Sequence, residues 1–499
     1  MQTKKKTLVI IGAGFAGICM GIHLKKAGID DFVIIEGEDG AGGTWRVNTY
    51  PGAACDVQSH LYSFSFEPYP KWSRMFGLQD EILEYQEYCC EKYGLYLHCE
   101  FNTFVESATF NDRKGTWTVE TSGENTYEAQ FVISGSGGLS KPAYPDIQGT
   151  ESFKGPKFHS AQWDHSVDLK GKRVAVIGSG ASAIQIVPAI IDEVEHLDYY
   201  QRTPSWVLPK PDREILDIEK SVFKAVPAVQ QLYRSAIYAL MESRALGFVV
   251  TPKLMTYAKL MGLRHINKYI KDPELRKKMT PEYEMGCKRI LMSNDYYQAV
   301  SRDYVEVVSE GIASIDETGI TTADGRHRPV DVIVYCTGFY ASENVLQYEV
   351  YGKNGLDIKE AWKDGPEAYL GTVVSGFPNM FTIVGPNTGL GHNSMIYMIE
   401  SQVNYIMEAL RYTRKEKLQT IDVKADVQAA YNKEIQARLD RSIWASGCQS
   451  WYKTKSGKNT TLWPGFTFEF RARTLFFNAR DFNKERSKVD VREKEEAYV

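Results

Sequence analysis

Two glycine-rich turns limit what this 499-residue chain can fold into. The first lies in TLVIIGAGFAGICMGIHLKKAG. A short apolar run, Thr7 to Ile11, leads into Gly12-x-Gly14-x-x-Gly17, and an apolar stretch follows that ends near Gly28. That order reads as a buried strand, a tight turn and a helix. Gly12 permits the turn, Gly14 lets a pyrophosphate approach the backbone, and Gly17 lets helix and strand pack closely. The helix N-terminus then offers unpaired N–H groups to the phosphates. A second strand, DFVIIEG, ends in Glu36, 24 residues after Gly12 and near the ~20 expected of the acid that holds a ribose hydroxyl. Strand, helix, second strand and terminal acid in this order predict a dinucleotide site.

The design recurs in KRVAVIGSGASAIQIVPAII, where the loop is Gly178-x-Gly180-x-x-Ala183, with alanine an accepted third member. Its following strand, HLDYYQRT, ends in Arg202-Thr203 rather than in an acid. A guanidinium there neutralises a 2′-phosphate that a carboxylate would repel. The first loop therefore suits FAD and the second NADP; the plainer reading of Arg202 is a solvated surface charge. Two such units imply a relay in which nicotinamide reduces flavin and flavin carries out the later chemistry. The segment DVIVYCTGF, residues 331–339, is expected to be a buried strand that closes the second unit. The fold class expected is α/β, with two Rossmann-like dinucleotide-binding domains and a helical insertion in the second.

Composition narrows the alternatives. The length calls for two or three domains, and a net charge of -4 gives no electrostatic case for nucleic acid. Thirty tyrosines, 22 phenylalanines and nine tryptophans suit a site with flat apolar walls, although most must be core. The eight cysteines are scattered with no C-x-x-C, which argues against a paired-cysteine disulfide reductase. The same scatter makes a disulfide framework or a zinc site unexpected and suits a reducing cytoplasm; no metal is expected. Lys4–Lys6 precede 18 residues, Thr7–Leu24, without a Lys, Arg, Asp or Glu, the make-up of a signal peptide or a short membrane span. The glycine motif inside that run argues for strand and helix instead. No later run approaches membrane length.

A further segment, FKGPKFHSAQWD, joins the two units. Its Phe153-x-Gly155-x-x-x-His159-x-x-x-Trp163-Asp164 resembles the fingerprint of Baeyer–Villiger monooxygenases, F-x-G-x-x-x-H-x-x-x-W followed by Pro or Asp. A second signature of that family matches in GTWRVNTYPGAACD: Gly43-x-Trp45, then Tyr50-Pro51-Gly52, then Asp56. The resemblance runs from the first loop to at least Arg473. It implies an FAD-containing enzyme that uses NADPH and O2 to convert a ketone into an ester or lactone through a flavin peroxide. Oxygenation of a sulfide or amine is the alternative, and a non-oxygenating flavin redox protein a more distant one. His159 and Trp163 would act as hinge and packing residues between domains, not as acid–base groups. As a metal ligand His159 has no partner at suitable spacing.

The resemblance also assigns the site. Arg289, in CKRILMSNDYY, matches the family's active-site arginine, and Asp56 its carboxylate partner. Arginine suits the role because negative charge develops on oxygen during insertion, and a guanidinium stays protonated with several donors. Read alone, the pair could equally be a structural ion pair, with Asp56 capping a turn. Lys288 matches a contact to the NADP phosphate beside Arg202 and Thr203. Flavin contacts carried over are Glu36, Gly43, Thr44, Trp45 and Tyr62, with Met395 at a helix N-terminus placed to stabilise a reduced, anionic ring. Trp451, in CQSWYKTKSGKNTTLWPG, matches a tryptophan that meets NADP. Two departures, Ala54 where many relatives carry arginine and a longer segment that adds Trp463, are expected near the pocket.

The expected organisation is an FAD-binding domain of residues 1–145 and 375–499 and a linker of 146–164. The NADP-binding domain then spans 165–209 and 285–374, interrupted by a helical insertion at 210–284. That insertion has helical apolar spacing, as in SVFKAVPAVQQLYRSAIYALMESRAL. Part of it has the make-up of a membrane-surface or dimer helix. Mixed acidic and basic residues favour a buried cap face. The expected molecule is a cytoplasmic monomer or homodimer. Its charged tail, KERSKVDVREKEEAY, is expected to be solvated.

Overall fold

The computed structural model describes residues 2–340, 346–448 and 450–486. Strand β1 (Gln2–Ile11) keeps its lysines at the partly exposed end and finishes in the fully buried Leu8–Ile11. Helix α1 (Phe15–Lys26) follows, capped at its end by the left-handed Gly28. The uncharged run from Thr7 to Leu24 is thus a strand end and a buried helix. Among the described residues no helix is long and apolar enough to cross a membrane. Strands β2 (Phe32–Ile35) and β3 (Cys99–Glu100) continue the sheet on one side of β1, in parallel. On its other side β4 (Val105–Asn111), β5 (Thr116–Thr121) and β6 (Asn125–Ser134) form an antiparallel meander whose last strand runs parallel to β1. Four-residue apolar strands such as β2, buried throughout, are what a sheet covered on both faces requires.

The second unit is a five-stranded parallel sheet. It contains β7 (Lys157–His159), β8 (Arg173–Ile177), helix α2 (Ala181–Ile190), β9 (His196–Tyr200), β10 (Val305–Val308) and β11 (Val332–Tyr335). The strand order is β10–β9–β8–β11–β7, so the 331–339 segment supplies the strand beside β8. Two expected boundaries move. Residues 157–159 are not free linker, because β7 pairs with β11 and forms the edge of this sheet. The stretch before residue 375 is not wholly part of the second unit either. The strand Glu349–Tyr351 pairs with β4 of the first sheet, where Met380–Thr382 also returns to pair with β6.

The insertion is helical, with α3 (Pro227–Ser243) and α4 (Met255–Tyr269) as its longest members. The inner face of α3 docks on the first unit: Arg234 donates to the His60 carbonyl at 2.6 Å and Gln230 to that of Tyr69 at 2.9 Å. Its outer face departs from the expected buried cap, because Val229, Leu232 and Leu240 are exposed. Helix α5 (Met395–Lys415) packs against α1 and completes the first unit. The cysteine expectation also needs correction: Cys287 and Cys448, 161 residues apart, form a disulfide, and six other cysteines are free. Folding brings together two thiols that have no sequence spacing to announce them. The tail from residue 487 lies outside the described residues.

Candidate active site

The first loop is closed by glycine contacts. A Cβ on Gly17 would lie 1.9 Å from the Gly12 carbonyl oxygen, and one on Gly43 would lie 2.9 Å from the Gly14 Cα. Gly12 itself is at φ +95°, open only to glycine. The second family signature therefore meets the first loop backbone to backbone, at the point where a pyrophosphate needs room. Glu36 is 8% exposed and fixed: its Oε2 accepts the Ala13 N–H at 2.6 Å and its Oε1 the Glu38 N–H at 3.0 Å. Thr44 is exposed at the start of the short helix Thr44–Val47. Trp45 donates Nε1–H to the Tyr62 hydroxyl at 3.2 Å, and Phe15 meets the Tyr62 ring edge-on. Met395 opens α5, with Ser394 capping it by accepting the Ile396 N–H at 3.2 Å. Together these residues form a glycine cradle, a ribose acid and an aromatic wall, and they fit a flavin dinucleotide.

Beyond Trp45 the same segment crosses to the second unit. Tyr50 donates to Gln185 Oε1 of α2 at 2.9 Å, and Gln185 Nε2 returns a bond to the Ala54 carbonyl at 2.9 Å. A Cβ on Gly52 would lie 2.7 Å from the Gln185 carbonyl oxygen, so only glycine lets the turn seat there. This anchoring delivers Asp56 to Arg289, 233 residues away in sequence. Arg289 Nε donates to Asp56 Oδ2 at 2.9 Å, and Nη2 bonds the same oxygen. Nη1 has no hydrogen-bond partner among the described residues and remains a free donor. A parallel ribbon, Val207–Leu208 on Leu291–Met292, holds the arginine segment in place.

The local field is positive. Burial would raise the Asp56 carboxyl, but Arg289 outweighs it and holds the group below the usual carboxylate range. The Arg289 guanidinium is raised in turn, chiefly by Asp56. Two further cations feel the same carboxylate, Lys210 and Arg244, and burial lowers both. Tyr452 is buried, and burial pushes its phenol up to about 12 while Arg289 pulls the other way. Neither Lys210, Arg244 nor Tyr452 stands out in the sequence. Lys210 and Arg244 lie in the insertion, and Tyr452 differs from its neighbour Trp451 only in being turned inward.

In the second loop, Gly178 is at φ +120°, and a Cβ there would lie 2.2 Å from the Cys336 carbonyl oxygen. Gly180 differs: nothing lies within 4 Å of its Cβ position. Ala183 is buried in the helix–sheet interface. The Thr203 carbonyl accepts from Ser179 Oγ at 2.7 Å, tying the loop to the end of β9. Arg202 is exposed, and Lys288 is depressed by burial and by the charge of Arg202. Among the described residues neither cation pairs with a carboxylate. Two neighbouring cations without counterions fit a phosphate.

The fingerprint segment packs on the second unit. Phe153 is buried against β8 and β11, and a Cβ on Gly155 would lie 2.3 Å from the Asp331 carbonyl oxygen. His159 is fully buried between Tyr144 and Phe339, with Nδ1 accepting the Ala161 N–H at 3.1 Å. Trp163 meets Phe158 edge-on at 5.0 Å. The one three-residue ligand cluster among the described residues, His196, Asp198 and Glu306, has Arg328 bonded to both of its carboxylates. Trp451 is 42% exposed beside Tyr452, as a lid residue would be. Trp463 is wholly buried, donates to the Phe466 carbonyl at 3.0 Å and packs on Phe470.

Known proteins resemble this chain in sequence and fold. The family described as pyridine nucleotide-disulphide oxidoreductase matches residues 9–231. A Baeyer–Villiger monooxygenase of Pseudomonas aeruginosa is 52% identical over 95% of this chain and 91% of its own. One from Streptomyces coelicolor is 43% identical over 94% and 90%. The crystal structure of OTEMO in complex with FAD and NADP superposes with a TM-score of 0.87 at 27% identity, covering 96% of this chain and 99% of that one. With two glycine cradles, both family signatures and kinship of this extent, the chain belongs to the Baeyer–Villiger monooxygenases.

Proposed function

We propose that the first unit holds FAD, the second holds NADPH, and the Arg289–Asp56 pair between them promotes insertion of one oxygen atom of O2 into a ketone. Per turnover, NADPH, a proton, O2 and ketone give NADP+, water and an ester or lactone. FAD, when bound and reduced by NADPH, supplies the activation of O2. The remaining work falls to the chain. Arg289 keeps Nη1 available to an oxygen on which negative charge develops. Asp56 fixes the guanidinium through one carboxylate oxygen, and Lys210 and Arg244 add positive potential. Trp451 and Tyr452 cover the site from the C-terminal loop and keep out water.

One observation carries this reading: a charge pair joins Asp56 of the flavin unit to Arg289 of the nicotinamide unit. The test is incubation of the purified holoenzyme with NADPH and a panel of linear, cyclic and aryl ketones, with products identified by mass. A product heavier by one oxygen, labelled from 18O2, supports it. NADPH consumed with no oxygenated ketone product would refute it, and sulfoxide formation alone from a parallel sulfide reaction would make heteroatom oxygenation the function.

A further inference from the structure

The outer surface of the helical insertion combines exposed apolar side chains with a one-sided charge. Along α3 the inward positions are Gln230, Arg234, Ile237 and Met241, spaced at three and four residues. The opposite face, from Ala228 to Ser243, carries no charged residue. Leu232 there is 72% exposed and Leu240 is 56% exposed. The apolar run continues into the connection to α4, where Val250 is 58% exposed, and into α4 itself, where Tyr257 is 71% exposed. Isolated exposed apolar residues are ordinary, but a run of them on consecutive elements marks an interaction surface.

Charge identifies the partner. Between Lys220 and Lys271 the chain has eight lysines and arginines besides the buried Arg234, and one carboxylate, Glu242. Glu242 is buried and accepts bonds from Asn393 and Thr467, so it contributes nothing outside. The whole chain carries a net -4, so this segment is a basic island. A second copy would set one basic face against another in a two-fold contact, which like charges oppose. An apolar ridge with lysines beside it and an exposed tyrosine suits the headgroup region of an anionic bilayer.

The geometry points to anionic phospholipid surfaces as the partner of this face: the insertion is a peripheral membrane-docking element. Leucine and valine side chains enter the acyl boundary, and Lys224 and Lys253 meet lipid phosphates. The docked helix leads directly into Arg244, a cation whose charge the Asp56 carboxylate favours. Docking therefore brings the site close to a phase in which apolar ketones concentrate.

The test is flotation of the holoenzyme with phosphatidylcholine vesicles that contain phosphatidylglycerol, and with pure phosphatidylcholine vesicles, each at low and high salt. The protein should float with the anionic vesicles and much less with the neutral ones, and salt should weaken the association. Leu232→Asp with Leu240→Asp should reduce flotation at least about tenfold. Flavin content and turnover of a water-soluble ketone should not change. Lys224→Gln with Lys253→Gln, which leaves the apolar ridge intact, should lower flotation and flatten its salt dependence. Absence of the wild type from the floating fraction at low salt overturns the proposal, as does binding indifferent to both pairs of substitutions. A wild-type dimer that Leu232→Asp with Leu240→Asp splits would also overturn it and make the face a copy-to-copy interface.

Discussion

The two nucleotide loops follow one sequence pattern and are packed in opposite ways. In the first, glycine meets glycine: Gly17 lies against Gly12, and Gly14 against Gly43. Its acid, Glu36, is buried and bonded to two backbone N–H groups. In the second, Gly180 faces open space and the cations Arg202 and Lys288 have no carboxylate partner among the described residues. A site whose polar groups are already fixed loses little freedom when its ligand binds, which favours tight retention. An open site whose cations lack carboxylate partners attracts a charged ligand quickly and lets it leave. One pattern thus suits either a retained ligand or an exchanging one, and the difference lies in what packs on the loop.

The largest effect should come from filling the first cradle. Gly17→Ala puts a methyl 1.9 Å from a backbone oxygen, which no side-chain adjustment relieves. The protein should be recovered without flavin or not at all, read from the flavin absorbance of the purified material. Gly180→Ala meets nothing within 4 Å, so that variant should fold, keep its flavin and bind NADPH more weakly. Equal flavin loss in both variants would break the comparison.

Arg289→Ala comes next, because this residue joins the two units. Loss of one preorganised donor to developing charge costs roughly 10²–10³ in rate. Product formation should fall by about that factor while NADPH still reduces the flavin, so electrons should appear as hydrogen peroxide. Arg289→Lys keeps the charge but not the fork that bonds Asp56 and leaves Nη1 free, and it should restore little. Product yields near wild type in the alanine variant would remove Arg289 from the chemistry.

A smaller, more selective effect belongs to Arg202. Its replacement by alanine should weaken NADPH by ~1.5–3 kcal/mol, roughly ten- to a hundredfold, and NADH hardly at all. Apparent KM values for the two cofactors decide the point. Equal losses would mean that the phosphate is bound by other groups and that the second unit's open cations serve something else.

What the sequence conveyed and what it withheld follow from distance along the chain. Strand, turn and helix around Gly12 and Gly178 were legible because a tight turn and a close helix contact demand glycine at fixed local offsets. Gly155 was legible only through the fingerprint resemblance, and the Asp331 carbonyl explains why nothing larger fits. Lys210, Arg244 and Tyr452 were not legible, since each reaches Asp56 only through tertiary packing. The Cys287–Cys448 disulfide was missed for the same reason. It joins the segment of Lys288 and Arg289 to the loop of Trp451, and no spacing rule connects thiols 161 residues apart. The outward face of α3 was misjudged because charges were weighed over the whole insertion. The acidic residues lie at its ends, and the middle is basic.

The smallest expected effect sharpens the comparison most. Lys288 sits below the ordinary lysine value because burial and then Arg202 disfavour its charge. A bound 2′-phosphate favours that charge, so NADPH binds best where Lys288 is already protonated, below its depressed free-enzyme value. As pH rises through that value, NADPH affinity should decline by less than about tenfold per pH unit, as expected for a single proton. NADH, lacking the phosphate, should show no such alkaline arm. Arg202→Ala removes one of the two depressing influences, so the decline should begin at higher pH even though affinity at neutral pH is lower. Titrations of both cofactors against pH, in wild type and variant, measure this directly. An alkaline decline that is the same for NADH, or unmoved by Arg202→Ala, would mean that the two cations do not share one phosphate. The second loop's openness would then need another explanation.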